Sequence, residues 1–299
     1  MTRETGVVAG SDGVAAPSPG ADSRPGPVVR FATETTSYGA SNQQVVELMK
    51  PSAPVVCHGV VVLVHGGYWR AKSDRSLMSD LAADLLSRGW SVCNVEYRRT
   101  SNGGGWPQTG NDVRAGFETA RIFAREQGDN FPLIAIGHSV GGQLALLGAD
   151  LLDAVVALAP VTDVARTERE GLGEGAAVEF MGTLSSEDPA AYRQASPIRQ
   201  LPANVPVLVV HGDNDSRVPL EHSQDYVRAA RELGGDVELD VVRGLSHLEA
   251  IDPQSGHWQE VLRWIEGFAV SFPNAQICVN RGMDNDAKRA DRWLRKEGS

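Results

Sequence analysis

The chain has 299 residues, 41% of them hydrophobic, and a formal net charge of −10. That length suits one large or two small domains with a sizeable core, and the acidic balance argues against nonspecific nucleic-acid binding. Three widely spaced cysteines, Cys57, Cys93 and Cys278, show no C-x-x-C spacing, which speaks against a disulfide framework or a zinc site and fits a reducing compartment. The Gly-, Ala-, Pro- and Ser-rich stretch 1–29 predicts a disordered lead-in without the apolar core of a signal peptide. No apolar run approaches the length of a membrane span, so the expectation is a cytoplasmic protein that does not enter membranes.

Order is predicted from about residue 30. Tyr38-Gly39-Ala40-Ser41-Asn42-Gln43 leads into the short apolar pattern of Val45, Val46, Leu48 and Met49, which Pro51 and Pro54 break. Gly59 to Val64 is a continuous β-branched run, as in a strand covered on both faces, and ends in His65-Gly66-Gly67-Tyr68-Trp69-Arg70. Helical spacing follows over Ser73–Ser87, a strand over Ser91–Tyr97, a glycine-rich loop to Thr109 and a helix over Asp112–Gln127. Leu133-Ile134-Ala135-Ile136 is the next strand, and Ala154–Leu158 another. Residues 161–204 hold no convincing strand and are expected to form a small cap insertion. Strands over Pro206–Val210 and Val237–Val242 and helices over Glu221–Leu233 and Gly256–Val270 complete a domain over 30–270, with 271–299 as a C-terminal appendage. Strands alternating with helices predict an α/β fold with a mostly parallel, doubly wound sheet flanked by helices.

The chemistry is centred on Gly137-His138-Ser139-Val140-Gly141, a G-x-S-x-G between a strand and a helical run. Strand, sharp turn and helix in that order make a nucleophile elbow. A serine hydroxyl needs a base, and the base an orienting carboxylate, in the chain order Ser, Asp or Glu, His at strand ends. Asp215 and His247 satisfy this order. Asp213 competes on position alone, and the H-G-x-x-D pattern from His211 favours Asp215. Of seven histidines, His58, His65, His138, His211, His222 and His257 lack the required order or place and are read as structural. Gly67 and Tyr68 of the H-G-G turn, with Val140 after the nucleophile, are the expected oxyanion donors. Gly171-Leu172-Gly173-Glu174-Gly175-Ala176 imitates a dinucleotide fingerprint, but no strand precedes it; Asp213-Asn214-Asp215 begins like a calcium loop and lacks the rest. Neither a metal nor a cofactor is expected.

These residues resemble those of the bacterial α/β-hydrolases in the kynurenine formamidase (arylformamidase) and small esterase branch. The likeness runs from Tyr38 to about Phe268. It is carried by Tyr38-Gly39 with Gln44, His65 to Arg70, Glu96-Tyr97-Arg98-Arg99, Gly104-Gly105-Trp106-Pro107, Gly137 to Gly142, Ser196-Pro197, His211 to Asp215, Val218-Pro219, and His247 with Ile251-Asp252-Pro253. The H-G-G-x-W form, shared with esterases of the branch, is associated with formamidases. The resemblance implies an α/β-hydrolase fold, Ser139 as nucleophile with Asp215 and His247, and hydrolysis of an N-formyl arylamine or a small ester. Val140 departs from the alanine common in relatives and is expected to narrow the oxyanion region. An N-formyl arylamine such as N-formylkynurenine is the first expectation, with Tyr68, Trp69 and Trp106 stacking on an aromatic small-molecule substrate. A short-chain carboxylesterase is the alternative, and a hydrolase-fold binding protein the third. Self-association as a homodimer stays open.

Overall fold

A computed structural model describes residues 31–51, 57–128 and 131–272. The lead-in, Cys278 and all but the first two residues of the expected appendage lie outside them.

Eight strands form one sheet: β1 (Phe31–Ser37), β2 (Val45–Pro51), β3 (Val60–Val64), β4 (Ser91–Glu96), β5 (Leu133–His138), β6 (Ala154–Leu158), β7 (Val207–Gly212) and β8 (Val237–Val242). Their spatial order is β1-β2-β4-β3-β5-β6-β7-β8; every pairing from β4 through β8 is parallel, while β1 and β2 add on antiparallel. The sheet is therefore mostly parallel, as expected. Its antiparallel edge is the part the sequence concealed. Phe31–Ser37 is rich in threonine and faces partly to solvent, so it carries no apolar run, yet it pairs residue by residue with Val45–Pro51.

The helices are α1 (Ser79–Ser87), α2 (Gln108–Gln127), α3 (Val140–Leu147), α4 (Val164–Arg169), α5 (Ala176–Met181), α6 (Pro189–Ala195), α7 (Leu220–Glu232) and α8 (Trp258–Ser271). Because side chains alternate along a strand, β3 feeds two cores at once. Val60, Val62 and Val64 pack with Phe117 of α2, Leu144 of α3 and Tyr226 of α7. Val61 and Leu63 pack with Leu81 and Leu85 of α1 and with Trp258 and Ile265 of α8. The continuous apolar runs of the central strands follow from this double burial. β8, at the edge, is only partly covered, and its sequence alternates accordingly.

Between β6 and β7 the insertion forms α4, α5 and α6. Asp163 and Asp188 cap α4 and α6 by accepting from the backbone N–H groups of Arg166 and Ala191, at 3.0 and 2.9 Å. Together with Trp69, Val140 and Val218 the three helices build a third apolar cluster over the C-terminal ends of the strands. Among the described residues, no helix is long and apolar enough to cross a membrane.

Candidate active site

Ser139 stands between β5 and α3 with φ 58° and ψ −120°, backbone angles that a non-glycine residue adopts only under constraint. Three backbone hydrogen bonds supply the constraint: its N–H donates to Leu158 (2.8 Å), and its carbonyl accepts from Gln143 and Val161, both at 3.2 Å. The flanking glycines have a steric cause. A Cβ on Gly141 would collide with the carbonyls of Val64 and His65, and one on Gly137 with the carbonyl of Gly141. Ser139 is 2% exposed. The turn after β3 lies directly against it, since a Cβ on Gly66 would come 3.0 Å from the Ser139 Cβ.

Asp215 follows β7 and His247 follows β8. His247 Nδ1 lies 2.6 Å from Asp215 Oδ2, with the carboxylate 1% and the imidazole 5% exposed. With an ionised carboxylate as partner, Nδ1 carries the proton and Nε2 is left bare to accept one. The other oxygen, Oδ1, accepts from the N–H groups of Arg217 and Val218 at 2.8 and 3.0 Å. His211, read from the sequence as merely structural, approaches Oδ2 at 3.3 Å while Nε2 also donates to the Val218 carbonyl. Burial alone pushes the Asp215 carboxyl up, but hydrogen bonds from His211 and His247 outweigh it and hold it well below the usual carboxylate range. Asp213 sits apart: it is exposed and its Oδ1 accepts from the Gly244 N–H at 2.6 Å.

The His65-Gly66-Gly67 turn after β3 rests on a buried polar network that sequence reasoning missed. Glu96, 3% exposed, accepts from Arg99 Nη1 (2.6 Å) and from the N–H groups of Tyr97 (3.1 Å) and Arg75 (3.0 Å). It meets His65 Nε2 at 3.2 Å, and the Tyr97 hydroxyl donates to the His65 carbonyl at 2.7 Å while the two rings stack. Glu96, Tyr97 and Arg99 thus brace His65 at the head of the Gly66-Gly67 turn, while Arg98 pairs with Asp112 of α2. Among the described residues, the N–H groups of Tyr68 and Val140 have no acceptor. Burial raises the Glu96 carboxyl, and the hydrogen bond with His65, that residue's charge and the Arg75 N–H together bring it below its ordinary value. Both Glu96 and Asp215 are therefore depressed in the folded state. Their contribution to stability is present above the unfolded carboxylate value, near ~4, and is lost as pH falls through the folded values. Urea unfolding at pH 7, 5, 4 and 3 should show stability falling below about pH 5, with a shallower fall in Glu96→Gln; identical slopes in both proteins would remove Glu96 from this account.

The three aromatic side chains assigned to a substrate surface separate. Trp69 is fully buried, donates from Nε1 to Gln143 Oε1 at 2.8 Å and stacks on Phe180 at 4.5 Å, so it is not free to stack on a ligand. Its role is to fasten the cap to α3. Trp106 is half-buried against Phe180, and its open side lines a groove of about 450 Å³ with Arg114, Leu147 and Asp150 that contains none of Ser139, Asp215 and His247. Tyr68 alone lies over the site: its hydroxyl donates to the Arg217 carbonyl at 3.4 Å, beside Asp215. Gly173 permits this, because a Cβ there would strike the Tyr68 ring. The Val140 side chain packs within the cap cluster.

This is the α/β-hydrolase fold. The chain belongs to the prolyl oligopeptidase family, whose sequence profile matches residues 108–269, just over half of its length. A second profile, BD-FAE, matches residues 46–153. Over 223 residues the chain is 27% identical to Esterase LipC of Mycobacterium tuberculosis, covering 65% of this chain and 54% of that one. It spans about half the length of the curated relatives it matches. Among solved structures, a truncated carbohydrate esterase from gut microbiota superimposes with a TM-score of 0.70 at 19% identity, over 81% of this chain and 96% of its own. Esterase B from Lactobacillus rhamnosis gives 0.68 at 19% identity, over 88% and 89%. The kynurenine formamidase branch is not among these likenesses.

Proposed function

We propose that the chain is a serine carboxylesterase acting on esters of short acyl groups. The observation that carries the reading is the 2.6 Å contact between His247 Nδ1 and the buried Asp215 carboxylate, in a site that also holds a strained serine. His247 Nε2 takes the proton as Ser139 Oγ attacks the ester carbonyl, and the tetrahedral oxyanion accepts from the backbone N–H groups of Val140 and of Tyr68 or Gly67. The imidazolium returns its proton to the departing alcohol, leaving an acyl-serine. Water, deprotonated by the same Nε2, then releases the acid and restores Ser139.

Ser139 is almost wholly buried, and the Val140 beside it packs under Trp69 and Phe180 of the cap cluster, which favours a short acyl chain. The relatives named as esterases support an ester over the N-formyl arylamine that the H-G-G-x-W motif suggested, and the tryptophan of that motif is spent on packing. The discriminating experiment compares kcat/KM for p-nitrophenyl acetate, p-nitrophenyl decanoate and N-formylkynurenine. We expect acetate to lead decanoate by at least about tenfold, a difference of roughly 1.4 kcal/mol in transition-state binding, and to lead the formamide as well. A formamide turned over more efficiently than the acetate ester would restore the formamidase reading, and no turnover of any of the three would favour a binding protein.

A further inference from the structure

His138 carries the one polar side chain of the elbow that the mechanism above does not use. It is buried, and its Nε2 lies 2.9 Å from the main-chain carbonyl of His247, a contact spanning 109 residues of chain. A carbonyl only accepts, so Nε2 carries the proton and Nδ1 is bare. Nδ1 has no partner among the described residues; it faces the oxyanion turn, where a Cβ on Gly66 would come within 2.9 Å of it. The whole polar role of His138 is therefore its single bond to His247. The two imidazole rings also touch, with centroids 4.6 Å apart at 47°.

The position of that bond matters because of what lies at each end. His138 is covalently joined to Ser139, and both are fixed by β5 and its neighbours. His247 sits on the loop after β8, whose neighbours Arg243, Gly244, Leu248 and Glu249 are exposed. Leu245 and Ala250 anchor this loop in the core and Asp215 holds the His247 ring by Nδ1, but a ring held at one atom on a partly exposed loop can still pivot away from the nucleophile. The His138 bond holds the other end, the backbone, to the residue next to Ser139. We infer that His138 is a positioning residue that sets the register of His247 against Ser139, so that the carboxylate orients the base and the elbow itself fixes its distance. The ring can do this at any working pH, because burial first and the neighbouring His247 second push the His138 pKa down to about 3 and keep it neutral. A second cation never forms beside His247 when it becomes imidazolium.

This inference rests on the esterase reading, and its test keeps the two apart. Glutamine retains an N–H donor at about the reach of Nε2; asparagine carries the same amide one methylene too short; phenylalanine keeps the ring contact and loses only the bond. The measurements are kcat and KM for p-nitrophenyl acetate, the rate of Ser139 labelling by a fluorophosphonate, thermal stability, and the downfield proton resonance of the His247–Asp215 bond. His138→Gln should stay within about threefold of wild type in kcat. His138→Asn and His138→Phe should each lose on the order of 10- to 100-fold in kcat and in labelling rate, with KM nearly constant and the downfield resonance broadened. Should the phenylalanine variant fail to fold, the glutamine and asparagine variants carry the comparison alone. Glutamine and asparagine variants of equal kcat, whether both active or both impaired, would overturn the inference, as would losses that track thermal stability alone. An active wild type with that outcome leaves the esterase reading standing, whereas an inactive wild type, or a fully active Ser139→Ala, sinks the esterase reading itself.

Discussion

Ser139→Ala should lose on the order of 10⁴-fold or more in kcat on p-nitrophenyl acetate while its thermal stability stays at or above that of the wild type. The loss is expected because every covalent step passes through Oγ, and the remaining machinery can only bind the ester and stabilise an oxyanion raised by water. Retention of the fold is expected for a local reason: the φ of 58° at this position is held by backbone bonds to Leu158, Gln143 and Val161, none of which involves the side chain. Alanine tolerates that geometry no worse than serine does. The measurement is steady-state kinetics alongside a thermal melt. A mutant retaining a tenth of wild-type turnover would end the serine-hydrolase reading, and a mutant that melts far below the wild type would show that the hydroxyl had a structural bond we have not assigned.

Chain order and turn chemistry make much of this arrangement legible in the sequence. The double burial of β3 to β7 writes itself as continuous apolar runs, and the close approach of Gly141 to the carbonyls at the end of β3, and of Gly137 to the Gly141 carbonyl, forces the glycines of the elbow. Asp215 and His247 could be chosen because each ends a strand of that sheet. What could not be read was anything set by side-chain direction across long sequence separations. Trp69 belongs to a loop at the catalytic face, and the residue letters do not say that its ring turns inward to Gln143 and Phe180. The Glu96–Arg99–His65 brace joins residues of two strands that are neighbours only once the sheet is wound, and Glu96 alone looks like an ordinary strand-end carboxylate. His138 is the sharpest instance. Its neighbour Ser139 is singled out by the G-x-S-x-G turn, and its partner, His247, follows β8 in the chain, yet the bond between them depends on β5 and β8 presenting their ends to the same space. The antiparallel β1 was missed for a simpler reason: an edge strand open to solvent needs no apolar pattern.

Asp215→Asn should lower kcat by about 10⁴-fold, and Asp213→Asn by no more than a few-fold. The two residues are two positions apart on one loop, so the contrast isolates geometry from location. Asp215 gives Oδ2 to His247 at 2.6 Å and to His211 at 3.3 Å, and Oδ1 to two backbone N–H groups. An asparagine keeps one oxygen, which the Arg217 and Val218 N–H groups already claim, and so turns its NH₂ toward His247. A donor facing Nδ1 selects the tautomer with the proton on Nε2, where it blocks the transfer from Ser139, and the imidazolium loses the charge that stabilised it. Asp213, by contrast, uses Oδ1 to accept from Gly244, and an asparagine accepts there equally well. The size of the Asp215 effect should also depend on the leaving group. p-Nitrophenolate departs without a proton, whereas an alkoxide or an amine anion is too poor a leaving group to depart without one. An alkyl acetate, or an N-formyl arylamine if it is turned over at all, should therefore suffer a larger loss than p-nitrophenyl acetate in the same mutant. The measurement is kcat/KM for ethyl acetate and p-nitrophenyl acetate in the wild type and both mutants. A larger loss in Asp213→Asn would move the acid to Asp213, and equal losses for the two esters in Asp215→Asn would mean that attack by Ser139, which both share, limits each of them.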